Sequence, residues 1–188
     1  MYHPEDSLPV PIEEIVEFQL KLDIIPMPGL LKGFEIDGFL SRDFSSIYVD
    51  DFIQGNRLTR YRFTLAHEVG HLVLHRELLD KIATFGDVDS WREFVKNLGS
   101  DKGNYEYQGY TFAGCVLVPK HHLVAKVRQC LPEIDAEIAT AKKAGVLRAA
   151  YLDFAVNMLS DKLAGQFDVS SEVIQRRIKN DKLDSKIP

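Results

Sequence analysis

The sequence is short of cysteine and of long apolar runs, and both shortages exclude classes of protein. Its 188 residues include two cysteines, Cys115 and Cys130, which are too few for the disulfide scaffold of a small secreted domain. No run of about 18 apolar residues, the length that crosses a membrane, is present, and the first residues lack the pattern of a signal peptide. We therefore expect a protein of the reducing cytoplasm that does not insert into a membrane.

Positive charge is also scarce, since 23 lysines and arginines stand against 28 acids and give a formal net charge of −5. General nucleic-acid binders carry a basic surface, so this balance argues against that class and leaves room only for a local basic face. The 45% of hydrophobic residues is enough to bury a sizeable core at this length. We expect one compact core over residues 1–132 and a helical C-terminal region over residues 133–188.

Three ionisable residues interrupt the largely apolar stretch 63–74, and their spacing is H-E-x-x-H: His67, Glu68 and His71. On a helix, residues four apart emerge one turn apart on the same face, so both imidazoles can hold a single ion. Glu68 lies about 100° round the helix, where it can reach a water without ligating the ion. Burying these groups would be costly without a partner such as a metal. The motif predicts a zinc site with Glu68 as general base.

A catalytic zinc site needs a third protein ligand, and several residues are available. His75 continues the face of the first two histidines, but it lies two helical turns, or roughly 12 Å, beyond His67. That separation is too large for one shared ion, so we expect His75 to be a histidine near the C-terminal carbonyls of the helix. The remaining sources are later in the chain: Asp87, Asp89, Asp101, Glu106 and the pair His121 and His122.

Glu106 is the best candidate among them. Asn104 can cap a new helix whose interior, residues 109–118, is apolar and which stops at Pro119. If that helix packs on the first one, it can aim the Glu106 carboxylate at the metal.

The other elements are less sharply indicated. We expect an amphipathic helix over 12–22, a break at Pro26 and Pro28, strands over 33–40 and 45–49 in a small antiparallel sheet, and a loop over 50–58 before a helix capped by Asn56 or Thr59. Further on, we expect a short helix around Trp91, Phe94 and Val95, a helix opened by Pro132, a break at Gly145 and a longer helix over 146–164.

Residues 163–174 resemble a helix-turn-helix, with a helix, a short turn and a serine cap. The second helix is basic through Arg176, Arg177, Lys179 and Lys182. A DNA-binding role for residues 163–180 is one hypothesis. We favour packing or partner docking, because helical pairs are common structural elements.

The runs R-F-T-L-A-H-E-V-G-H-L-V-L-H at 62–75 and F-A-G-C-V-L-V-P at 112–119, with Glu106 six residues before Phe112, resemble the ImmA/IrrE family of metallopeptidases. The resemblance implies an α+β, zincin-like fold in which Glu106 completes a Zn²⁺ site with His67 and His71. It also implies a substrate class, a bacterial or phage helix-turn-helix repressor. Four residues after the ligand glutamate the family often has Asn or Asp, whereas this chain has Tyr110.

The resemblance also suggests a second hypothesis, in which the protein binds a repressor and does not cleave it. Such a protein would have this metal site and act by docking. Glu68 separates the two functions, because docking does not need a general base.

Overall fold

The computed structural model describes residues 7–82, 89, 92–93, 96 and 102–187. The chain divides into two compact units, of which the first holds residues 11–113 and the second residues 7–10 and 114–188. The short helix predicted around Trp91, Phe94 and Val95 lies outside the described residues. Among the helices that are described, none combines the length and the apolar character needed to span a bilayer.

The first unit contains a three-stranded sheet in the order β1-β3-β2, with β1 at Asp23–Met27, β2 at Gly38–Leu40 and β3 at Ser46–Asp50. Strand β3 lies in the centre, and its Ile47 and Val49 are fully buried. It pairs antiparallel with β2 but parallel with β1. The prediction of an antiparallel sheet is therefore wrong in part, and the sheet is mixed. Strand β1 was missed because Pro26 indicated a break, but an edge strand tolerates a proline that has no N–H to donate.

Short helices surround the sheet. Helix α1 (Ile12–Glu14) continues into a π-helical turn (Ile15–Gln19), so the helix predicted over 12–22 ends early. Helix α2 (Leu30–Phe34) occupies the start of the strand predicted over 33–40. Helix α3 (Asp51–Asn56) replaces the predicted loop over 50–58.

The buried carboxylate of Asp50 explains why a helix forms directly after β3. One of its oxygens accepts the N–H of Ile53 at 3.2 Å, which caps α3. The other accepts the N–H of Leu31 at 2.9 Å and so ties α2 to the same point.

Two longer helices follow, α4 (Leu58–Ile82) and α5 (Lys102–Leu117). The predicted caps do not lie at their starts, since Asn56 belongs to α3, Thr59 to the first turn of α4 and Asn104 to the first turn of α5. The two helices approach closely at Gly70, where an added Cβ would lie 3.1 Å from the ring of Phe112. With a small mixed sheet and a majority of helices, the protein has the predicted α+β fold.

The second unit is helical and contains α6 (Lys120–Lys143), α7 (Arg148–Phe167) and α8 (Ser171–Asn180), followed by a 3₁₀ turn (Asp184–Lys186). Pro132 lies inside α6, so the prediction that it opens a helix is wrong. The helix continues through the proline because its buried side chains keep helical spacing on both sides of it: Leu123, Val127, Cys130, Ile134 and Ile138. Gly145, with φ of 74°, makes the expected break before α7.

Helices α7 and α8 form the predicted helical pair, joined through Asp168 with φ of 49°. Ser170 takes the N-cap position of α8, but its side chain makes no capping hydrogen bond.

The basic residues of α8 are ion-paired within the second unit. Arg177 is 7% exposed and lies 2.8 Å from the Asp181 carboxylate. On the surface, Arg176 pairs with Glu172 at 2.6 Å and Lys179 with Asp153 at 3.5 Å. The positive charge that the sequence assigned to this helix is therefore largely matched by acids.

Candidate metallopeptidase active site

The first unit brings together the three residues predicted as metal ligands. His67 and His71 emerge one turn apart on α4, and their Nε2 atoms are 3.0 Å apart. Glu106 on α5 places one carboxylate oxygen 3.3 Å from His67 Nε2 and the other 3.9 Å from His71 Nε2. One ligand atom from each of the three residues lies within 4.8 Å of the other two.

These distances fit a zinc ion. Bonds of about 2.0–2.1 Å in tetrahedral geometry place ligand atoms roughly 3.3 Å apart. The two Nε2 atoms are 3.0 Å apart, and each has an oxygen of Glu106 at 3.3 or 3.9 Å, so both kinds of separation are close to that value. Two imidazoles and one carboxylate are a donor set known from catalytic zinc sites, in which a fourth position is left for water or substrate.

No other cluster of this kind occurs among the residues that the structure describes. Of the alternative ligands, His75, Asp89, His121 and His122 are outside the cluster, while Asp87 and Asp101 lie outside the described residues.

Glu68 is buried and directly follows His67, a member of the cluster. Its side chain is 7% exposed and accepts a hydrogen bond from the backbone N–H of Leu40 in strand β2. Burial raises the pKa of Glu68 to about 7, and the negative charge of Glu106 adds to this effect while His67 opposes it. A carboxyl group with a pKa near neutrality can both accept and return a proton at physiological pH.

The two histidines differ in their affinity for protons. Burial, followed by the charge of His67, lowers the pKa of His71 to about 4. Burial also acts to lower the pKa of His67, but the hydrogen bond to Glu106 and the charges of Glu68 and Glu106 outweigh it and raise the pKa. The same carboxylate that raises the pKa of His67 is the third candidate metal ligand, so proton and metal compete for these two residues.

Gly109, which the sequence analysis did not single out, makes the close contact of α5 with the cluster possible. An added Cβ at this position would lie 2.8 Å from Cε1 of His67 and 3.2 Å from Nε2 of His71. A glycine inside an apolar helix costs about 1 kcal/mol relative to alanine, and a packing reason commonly explains it. A glycine within the apolar run 109–118 was therefore a signal of close packing that the sequence contained.

His75 has a different environment from the one predicted. Helix α4 extends to Ile82, so His75 is not near its C-terminal carbonyls, and that prediction is wrong. Its Nδ1 lies 2.9 Å from Nδ1 of His71, and its Nε2 lies 2.9 Å from Oε1 of Gln108 on α5. His75 is thus bonded to a member of the cluster without joining it.

Tyr110 occupies the position at which the family often has Asn or Asp. Its ring packs against His67, with centroids 4.7 Å apart, and against Phe63. Nδ1 of His67 is buried and has no hydrogen-bond partner among the described residues. The tyrosine therefore supports His67 by ring contact, where a shorter polar side chain could accept its N–H.

The family model of the IrrE N-terminal-like domain, peptidase M78, matches residues 52–179. The match covers more than two thirds of the chain and includes His67, Glu68, His71 and Glu106. Comparisons with curated proteins and with solved structures give no match.

Proposed function

The chain belongs to the ImmA/IrrE family of metallopeptidases, and from this premise we propose that it is a zinc-dependent, site-specific endopeptidase that cleaves a helix-turn-helix transcriptional repressor. The observation that carries the proposal is that one ligand atom each from His67, His71 and Glu106 lies within 4.8 Å of the other two. Glu68, which is buried, directly follows the first of these histidines. Family membership supports the repressor as substrate, in a bacterial stress or mobile-element regulatory system.

Each residue has a separate task in this mechanism. His67, His71 and Glu106 would hold the zinc ion, which supplies Lewis-acid chemistry by polarising the scissile carbonyl and lowering the pKa of water. Glu68 takes the proton from the attacking water and returns it to the leaving amine. The N–H of Leu40 holds the Glu68 carboxylate in position for both transfers.

The substitution Glu68→Gln tests this function, because it keeps the size of the side chain and both histidine ligands but removes the proton acceptor. Helix-turn-helix repressors encoded in neighbouring reading frames are incubated with zinc-loaded parent or variant, and the products are identified by mass spectrometry. We expect the parent to cut at one bond and the variant to be about 10²- to 10⁴-fold slower. Equal rates would exclude Glu68 as the base. Tight binding by both proteins without any cleavage would replace the peptidase with a docking module.

The ion pairs of α8 support a packing or docking role for the helical pair over DNA binding. Arg177 is buried against Asp181, and a buried guanidinium cannot reach a phosphate. Duplex binding that weakens steeply with salt would contradict this assignment.

A further inference from the structure

A chain of three side chains leads from the metal cluster to the surface of α5. Nδ1 of His71 is 2.9 Å from Nδ1 of His75, and Nε2 of His75 is 2.9 Å from Oε1 of Gln108. His75 is 5% exposed, and the ring of Tyr105 packs edge-on against it with centroids 4.8 Å apart. The imidazole of His75 is therefore held on one side by α4 and on the other by α5.

The direction of the hydrogen bonds follows from the acceptor at the end of the chain. The carbonyl oxygen of Gln108 can only accept, so the proton of a neutral His75 lies on Nε2 and its Nδ1 carries a lone pair. That lone pair accepts a hydrogen bond from His71, whose proton must then lie on Nδ1. The Nε2 atom of His71, which faces His67 and Glu106, is left with its lone pair free for a metal.

The reverse direction would disable the site. If the amide of Gln108 donated, His75 would carry its proton on Nδ1 and His71 would carry its own on Nε2. A protonated Nε2 cannot ligate a metal. The two directions thus correspond to a competent and an incompetent His71.

We propose that His75 and Gln108 are positioning residues that fix the tautomer and the ring orientation of His71 for zinc. The inference rests on the zinc site proposed above and extends it to two residues that touch neither the metal nor the substrate. His67 has no equivalent support, since its Nδ1 lacks a hydrogen-bond partner among the described residues. Partners of this kind typically change metal affinity by about 10- to 100-fold.

Gln108 offers the cleaner test, because its side chain is exposed and its replacement does not disturb a core. Gln108→Leu removes the acceptor, whereas Gln108→Glu restores an acceptor that cannot donate. Asn104→Leu, at another exposed position of α5, is the control for losing a polar side chain from this helix.

Two measurements are made on each full-length protein. The dissociation constant for Zn²⁺ is determined by competition with a chromophoric chelator. The tautomer of His71 is read in the metal-free protein at pH 8 from the ¹⁵N shifts of its ring, which a merely structural role of Gln108 would not move.

We expect the parent to show His71 protonated on Nδ1. Zinc affinity should fall about 10- to 100-fold in Gln108→Leu and stay within a few-fold of the parent in Gln108→Glu and Asn104→Leu. Equal zinc affinity in the parent and Gln108→Leu would overturn the inference while leaving the zinc site intact. A parent that binds zinc although its metal-free His71 is protonated on Nε2 would overturn it in the same way. A parent that binds no zinc would overturn the proposed function and this inference with it.

Discussion

Glu68 is a carboxyl group that folding removes from water, and this has a thermodynamic consequence in the metal-free protein. Burial raises its pKa to about 7 from an ordinary value of 4.5. Between these two pH values the unfolded chain has released the proton that the folded chain still holds, so the free energy of unfolding falls as pH rises. The full cost is reached above pH 7 and is about 3 kcal/mol as an order of magnitude.

The substitution Glu68→Gln should remove this cost. With chelator present, the free energy of unfolding in urea should be similar for variant and parent below about pH 4.5. It should become larger for the variant as pH rises to 8, by up to about 3 kcal/mol. Glu14→Gln, at an exposed position of α1, is the control for the same change at a glutamate that folding does not bury. A pH-independent difference for Glu68→Gln would show that its carboxyl group is not destabilised by burial.

At the scale of elements, the site depends on how closely α5 approaches α4. Gly109 faces the histidines, and Gly103, in the first turn of the same helix, faces open space. The substitution Gly109→Ala would place a methyl group 2.8 Å from the ring of His67, which is too close for the ring to stay in place. If the His67 ring is displaced from the cluster, only two of the three proposed zinc ligands, His71 and Glu106, remain.

We therefore expect Gly109→Ala to lose zinc and Gly103→Ala to retain about one zinc per chain, as measured by atomic absorption on purified protein. Gly103→Ala should also be slightly more stable, because alanine has the higher helix propensity. Full zinc content in Gly109→Ala would mean that α5 moves away from α4 at little cost.

The elements also show how far the sequence could predict this site. His67, Glu68 and His71 lie on one helix within five residues, so helical periodicity alone defines their relative positions. Glu106 lies on a second helix, so its role could be predicted only after that helix was predicted. Asn104 as a cap, the apolar run and Pro119 as the stop indicated the helix. The helix itself starts earlier, at Lys102.

What the sequence could not predict depends on contacts between distant residues. His75 and Gln108 are 33 residues apart, and no local pattern indicates that their side chains meet. Strand β1 was missed for a related reason, because the parallel pairing that places Pro26 opposite Val49 is a tertiary contact. Local propensity correctly disfavours proline in a strand, but the position of β1 at the sheet edge removes the penalty.

At the scale of the whole molecule, the three proposed ligands all belong to the first of the two units. A ligand that binds only the folded state stabilises it by about 2.7 kcal/mol at a concentration 100 times its dissociation constant. Zinc held by the proposed ligands would join α4 to the N-terminal half of α5, so this stabilisation should appear in those segments. The ion pairs and apolar contacts of α7 and α8 contain no proposed ligand.

We therefore expect zinc to slow amide hydrogen exchange in α4 and in residues 102–113 of α5, and to leave α7 and α8 unchanged. The experiment compares the full chain with zinc and with chelator by mass spectrometry of peptic fragments. Glu106→Ala should abolish the zinc-dependent protection because it removes one of three ligands, whereas Glu14→Ala, an exposed acid of the same unit, should preserve it. Zinc-dependent protection that extends equally through α7 and α8 would show that the two units unfold as one, and protection that survives in Glu106→Ala would remove Glu106 from the site.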